Sequence, residues 1–405
     1  MPGTSAEAKP VATPAPSSRT GHTAGQAFLG LIDPILVAPG GAFVFDGALA
    51  RDHADHIWLW MTRDLAPDLV GADAPGGAPT EPQQLTAVLP NLMDRVKSAL
   101  ATATSGFEEG RRLRAQMGGE EVFARLPVAL AALRHRALLE KAQAFGRAVN
   151  NIADDAALGT ALQAMPLSDA TAAALLMQAA IGQVSNPSRL TTTVIRVAGA
   201  STETAVQRAG FAPMVDALLS HAQNQIPQLE ANGAFVDIDL ICRTLDRYHR
   251  LLRAVSGYIE LSRGSRWSAI IAGLTKSASD RIEPKLREVA IDVNQALRRR
   301  EANDRFDSDR VLAAINGLYL LSTVRDCRDS LALNAIFEQN WNQAGQALEV
   351  QVKRNLDLFR ANPADKIAAS RLDAGIKMAE LRYNAEYAEV LRRARDAAKR
   401  AAAAG

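Results

Sequence analysis

The chain has 405 residues, 46 of them Lys or Arg against 44 Asp or Glu, and the resulting formal charge of +2 gives no global field to draw it onto nucleic acid or anionic lipid. With 48% hydrophobic and 22% charged residues the composition is globular, which excludes a fibrous or wholly disordered chain, and the length has room for two or three domains. Only 5% of residues are aromatic, while alanine recurs in runs such as 172–174 and 401–404. That bias favours helix, where alanine loses no side-chain entropy, over sheet, which wants β-branched and aromatic residues.

Residues 1–24, rich in Pro, Ala, Ser and Thr, read as a disordered tail because they cannot bury enough apolar surface to offset ordering entropy. An apolar strap follows at 28–45, FLGLIDPILVAPGGAFVF. Asp33, Pro34 and the Pro39-Gly40-Gly41 turn cut it into pieces far short of the roughly 20 continuous apolar residues of a membrane span. A helix is expected over 48–66, then helical pattern over 83–152 with breaks at Pro90, Gly118-Gly119 and Pro127. The polar stretch around Asp154 to Pro166 marks a boundary, giving an N-terminal helical region at 25–160 and a C-terminal bundle or hairpin array at 161–405. Within the latter, Ser168-Asp169 starts a helix that Asn186-Pro187 stops. Further helices are expected at 190–208, 211–226, 234–263, 267–300 with a kink at Pro284, 308–328, 331–361 and 363–400.

The clearest periodicity joins Ile238, Ile241, Leu245, Tyr248, Leu252, Val255 and Ile259 in alternating three- and four-residue steps, a heptad seam of the coiled-coil kind. It can serve a dimer or an intramolecular neighbour. Away from it lie Arg243, Arg247 and Arg250, the candidate partner-binding residues, with Asp239 and Asp246 four residues before an arginine for pairing along the helix. Similar stripes run through Phe337, Trp341, Ala344, Leu348, Val352 and Phe359, and from Leu372 through Tyr383, Tyr387 and Val390 to Ala394. Long amphipathic helices with short connections imply antiparallel neighbours. The fold expected is therefore all-α, a multi-helix bundle or an irregular array of antiparallel hairpins behind a disordered tail.

Candidate chemistry is sparse. His53 and His56, three apart on one helix face with Asp52 or Asp55 as a carboxylate, are the best metal-ligand candidates. They lack the second half that a di-metal bundle supplies through Glu-x-x-His. Asp237-x-Asp239 recurs as Asp307-x-Asp309, and both copies fall at helix starts, where acids suit the macrodipole. Neither a G-x-S-x-G elbow, a phosphate-cradling glycine loop nor a D-D-x-x-D motif occurs. No cofactor is expected. Arginine clusters at 111–114, 134–136, 298–300 and 392–400 are interleaved with acids, unlike the single basic face of a nucleic-acid binder.

Cys242 and Cys327 lie in apolar helical context and read as reduced core residues, and no secretory leader is visible. The Arg, Ala and Gly usage is that of a high-GC bacterial genome, and a cytoplasmic location is expected. The expected function is a non-catalytic helical scaffold or adaptor acting through a protein partner or self-association. The alternatives are a helical enzyme or small-ligand binder whose site forms only in three dimensions, and a peripheral protein using the strap or the C-terminal basic helix on a membrane surface.

Overall fold

Helix starts in this chain are encoded by short polar side chains. In the computed structural model, which describes residues 19–230, 237–299 and 305–404, Asp154, Asp169, Asn186, Thr202, Asp237, Ser265, Asp307 and Asp365 each accept a hydrogen bond from a first-turn N–H. Those N–H groups have no partner inside the helix, so each cap fixes where an element begins. The result is all-α. Of the disordered tail expected at 1–24, residues 1–18 lie outside the described residues, while Arg19 already opens the first helix.

The chain divides into two units, Met1–Gly40 with Gly47–Ala142, and Gly41–Asp46 with Gln143–Gly405. The first contains α1 (Arg19–Ile32), a parallel pair of two-residue strands (Leu36–Val37 with Leu49–Ala50), α2 (Arg51–Trp60), a π-turn (Met61–Leu65), α3 (Pro67–Val70), α4 (Pro82–Ser105), α5 (Phe107–Gln116), α6 (Glu120–Arg134) and the start of α7 (Arg136–Val149). Its core gathers Phe28, Ile32, Ile35, Trp60, Met61, Leu85 and Leu92, with Phe28 stacked on Trp58 at 5.0 Å between ring centroids. The first half of the apolar strap is thus core.

Pro90 and Pro127 do not break helices as expected; they sit inside α4 and α6. A proline in a helix interior costs about 3 kcal/mol. Here both rings face solvent, and the opposite face of α4 buries Leu85, Leu89, Leu92 and Val96 at about 1.5–3 kcal/mol each, which outweighs that cost. Pro284 likewise lies exposed inside one continuous helix. The break at Gly118-Gly119 is real, with φ of 95° and 128°.

The second unit contains α8 (Asp155–Gln163), α9 (Ala170–Ile181), α10 (Pro187–Ala198), α11 (Glu203–Arg208), α12 (Ala212–Gln225), α13 (Ile238–Ser256), α14 (Arg266–Leu297), α15 (Ser308–Cys327), α16 (Asn334–Ala361), α17 (Lys366–Arg382) and α18 (Ala385–Ala404). Helices near one another in the chain pack as neighbours: α9 on α12, α12 on α13, α13 on α15, α15 on α14, α14 on α16, and α17 against α15, α16 and α18. Two expected helices are each two. Gly199, at φ 79°, separates α10 from α11, and Tyr383-Asn384 separates α17 from α18, where the Asn384 carboxamide accepts the Tyr387 N–H at 2.8 Å.

The heptad seam of α13 is buried inside the chain from Ile241 to Ile259, and so are Cys242, Thr244, Leu251 and Ala254. This arc is wider than a two-residue seam because α10, α12 and α15 all pack on it, which is how a helix sits in a globular core. Both cysteines are free and buried, and burial pushes the Cys327 thiol up to about 12. Among the described residues, no helix is long and apolar enough to cross a membrane.

Candidate functional site

The residues singled out from sequence are held by local structure. His53, His56 and Asp52 lie in the first turns of α2. The Asp52 carboxylate accepts the His53 N–H at 2.9 Å, and His56 Nδ1 lies 2.7 Å from the Asp52 carbonyl oxygen, to which it donates. Among the described residues, no group of three or more His, Cys, Asp or Glu side chains is placed to hold a metal ion.

On α13, Arg243 and Arg250 pair with Asp239 and Asp246 at 3.0 and 2.8 Å, one turn away as their spacing implies. Arg247 turns inward, donating to the carbonyl oxygens of Val184 at 2.6 Å and Ile181 at 3.2 Å, while Arg250 reaches Ser185 O at 3.2 Å. The reason lies in α9, whose residues Ala172–Ile181 are all buried, so that water cannot reach the carbonyls at its end. His221 completes this cap, its Nε2 donating to Gln178 O at 2.8 Å. Burial lowers the His221 imidazole to about 4 and lowers the Arg247 guanidinium from its ordinary value. Arg247 and Arg250 thus tie α13 to the end of α9, while Arg243 pairs only within α13.

Arginines of two other basic clusters also form ion pairs. Arg114 pairs with Glu120 at 2.6 Å, and on the C-terminal helix Arg392 pairs with Glu380 at 2.9 Å and Arg395 with Asp373. The buried charged side chains among the described residues are Glu203 and Arg371. Glu203 accepts from Ser262 N–H at 3.0 Å and Gln207 Nε2 at 3.2 Å, and Arg371 donates to Arg305 O at 3.1 Å. They sit on different helices, α11 and α17, and form no acid–base pair.

Aromatic and cationic groups converge elsewhere, where α15 ends and the α17–α18 turn crosses α16. The Asn384 cap fixes that turn and carries Arg382 and Tyr383 over α16. Gly345 leaves the space they occupy: a Cβ there would lie 2.9 Å from Arg382 Nη2 and 3.2 Å from the Tyr383 hydroxyl. Arg382 Nε donates to Trp341 O at 3.0 Å, and the Tyr383 hydroxyl shares its proton between Glu349 Oε1 at 2.9 Å and Gly345 O at 3.1 Å. The Arg382 guanidinium lies 3.9 Å from the Trp341 ring centroid and 4.8 Å from that of Tyr383, and Arg325 lies 5.2 Å from Trp341.

Phe337 and Trp341 are 5.5 Å apart and Tyr383 and Tyr387 4.9 Å, both pairs tilted. Trp341 is half-buried, and Tyr387 is exposed. Burial first, and the Glu349 carboxylate second, raise the Tyr383 phenol, while burial lowers the Arg382 guanidinium. A phenol held protonated beside guanidiniums is a poor proton acceptor. Sequence reasoning placed Trp341, Tyr383 and Tyr387 in apolar stripes and passed over Arg325 and Arg382. The available signal was scarcity, since in a chain with 5% aromatic residues four rings meet here.

No family model, curated protein or solved structure matches this chain.

Proposed function

We propose that this chain is a cytoplasmic helical interaction protein whose second unit holds a protein partner on the Arg325–Trp341–Arg382 platform. The observation that carries this is the half-exposed indole of Trp341, with guanidiniums 3.9 and 5.2 Å from its ring. Tryptophan, tyrosine and arginine dominate binding hot spots, the two aromatics because they offer large contact areas on few rotatable bonds and arginine because its flat guanidinium stacks and donates at once. Here the hydrogen bonds from Arg382 to Trp341 O and from Tyr383 to Gly345 O fix the surface before a partner arrives, so little ordering entropy remains to be lost on binding. The two free, buried thiols suit a reducing compartment.

A photo-crosslinking residue at exposed Asn342, beside the platform, should give one discrete protein adduct in cells of the source organism. The same residue at exposed Lys353, three turns along α16, should not. The adduct should disappear when Trp341→Ala is added. No discrete adduct at position 342, or one indifferent to Trp341→Ala, overturns the proposal.

A further inference from the structure

The second half of the apolar strap, Gly41–Asp46, is part of the second unit, and the way it is held has the form of a peptide in a receptor. The Gln223 carboxamide on α12 makes both hydrogen bonds to one residue's backbone: Phe43 N–H donates to Gln223 Oε1 at 2.9 Å, and Gln223 Nε2 donates to Phe43 O at 2.9 Å. An adjacent β-strand reads a backbone in the same two-point way. The Phe43 ring rests on bare backbone of α14, because a Cβ on Gly273 would lie 2.6 Å from Phe43 Cζ. Phe45, two residues on, is buried, with Arg266 5.8 Å from its ring centroid. Arg266 is aimed by Asp216, whose carboxylate accepts from Arg266 Nη1 at 2.7 Å and from Trp267 Nε1 at 2.8 Å.

Between the two anchors Val44 is 65% exposed, and Ala42 and Asp46 also face solvent. The segment therefore lies on the surface, gripped at alternate residues. Gly41 admits the Gln223 amide, which a Cβ at that position would meet. Before it stand Pro39 and Gly40, the latter at φ 74°, and after it comes Gly47. Such flanks allow the segment to leave without unwinding a helix.

We propose that Gln223, Gly273, Arg266 and Asp216 form a recognition site for a Gly-x-Phe-x-Phe peptide, filled in cis by Gly41–Asp46 and able to take the same motif in trans. The site is independent of the Trp341 platform, and its test does not depend on that platform having a partner. Backbone reading by Gln223 gives affinity for any extended segment, and the two phenylalanine seats give the selectivity.

The probe is a fluorescent synthetic peptide spanning residues 37–48, titrated by anisotropy into the full-length chain carrying Phe43→Ala and Phe45→Ala, which empties the seats. Saturable binding is expected. Binding to the wild-type chain should be roughly a hundredfold weaker, because its tethered segment competes at an effective concentration near millimolar. Adding Gln223→Leu to the emptied chain, or replacing both phenylalanines of the peptide by alanine, should abolish binding. A folded double variant that does not bind the peptide, or that binds it equally well with Gln223→Leu, overturns the site. Should the double variant lose its helical circular dichroism, hydrogen exchange in the wild-type chain decides: excess peptide should speed exchange of the Phe43 amide by displacing its segment, and an unchanged rate overturns the site.

Discussion

Two corners of the second unit use similar residues to opposite ends. At the end of α9, Arg247 and His221 turn inward and donate to the carbonyl oxygens of Ile181, Val184 and Gln178. At the crossing of α16 with the α17–α18 turn, Arg382 and Arg325 lie against the face of a half-exposed indole. An arginine's role is set by what its neighbours lack. A helix end deprived of water needs donors, while an aromatic face accepts a cation and still leaves its edge to solvent. Changes at the first corner should therefore appear in stability, and changes at the second in binding.

The largest expected effect is on pH dependence. His221 is held near 4 in the folded chain against an ordinary 6.5, so between those values the unfolded chain binds more protons and stability falls as pH drops from about 6.5 toward 4. The fall attributable to His221 is up to about 3 kcal/mol. Urea denaturation at several pH values, on wild type and His221→Gln, measures it; equal slopes for the two would break the account of this corner.

Arg247→Ala comes next. It leaves the carbonyl of the buried Val184 without its donor, and that of Ile181 with the Val184 N–H alone, and should cost about 2 kcal/mol in chemical denaturation. Arg243→Ala, which removes an exposed ion pair, should stay within about 0.5 kcal/mol. A similar loss for both would mean that position inside the row does not matter.

A smaller gain is expected at Gln178, a buried side chain on α9 whose carboxamide nitrogen and oxygen make no hydrogen bond. Gln178→Met keeps the length and removes the desolvated amide, and should raise stability by about 1 kcal/mol. The smallest change in stability belongs to the other corner. Arg382→Lys keeps the charge but loses the flat guanidinium over Trp341, so the denaturation midpoint should move by less than about 1 kcal/mol while the crosslink from position 342 weakens markedly. A midpoint that falls steeply, with the crosslink intact, would make the platform a clamp and nothing more.

The all-α architecture was legible because caps and periodicity are local. Asp169, Asp237 and Asp307 announce helix starts in the residues themselves, and the i,i+4 spacing of Asp239 with Arg243 foretold that pair. Prolines misled, since whether Pro90 or Pro127 breaks a helix depends on which face packs, and that is a tertiary fact. The inward turn of Arg247 was equally hidden, because nothing near position 247 in sequence says that α9 ends in a dry place. The platform draws residues 325, 341 and 382 from three helices, and no local spacing connects them.

The burial pattern also makes Trp341 a built-in optical reporter. Of the four tryptophans, Trp58, Trp60 and Trp267 are shielded in the interior, whereas Trp341 meets solvent beside two cations. Iodide, drawn in by those cations, should quench Trp341 selectively, and caesium, repelled by them, should quench it poorly. A molecule settling on the indole would then announce itself as lost iodide quenching in the unlabelled wild-type chain.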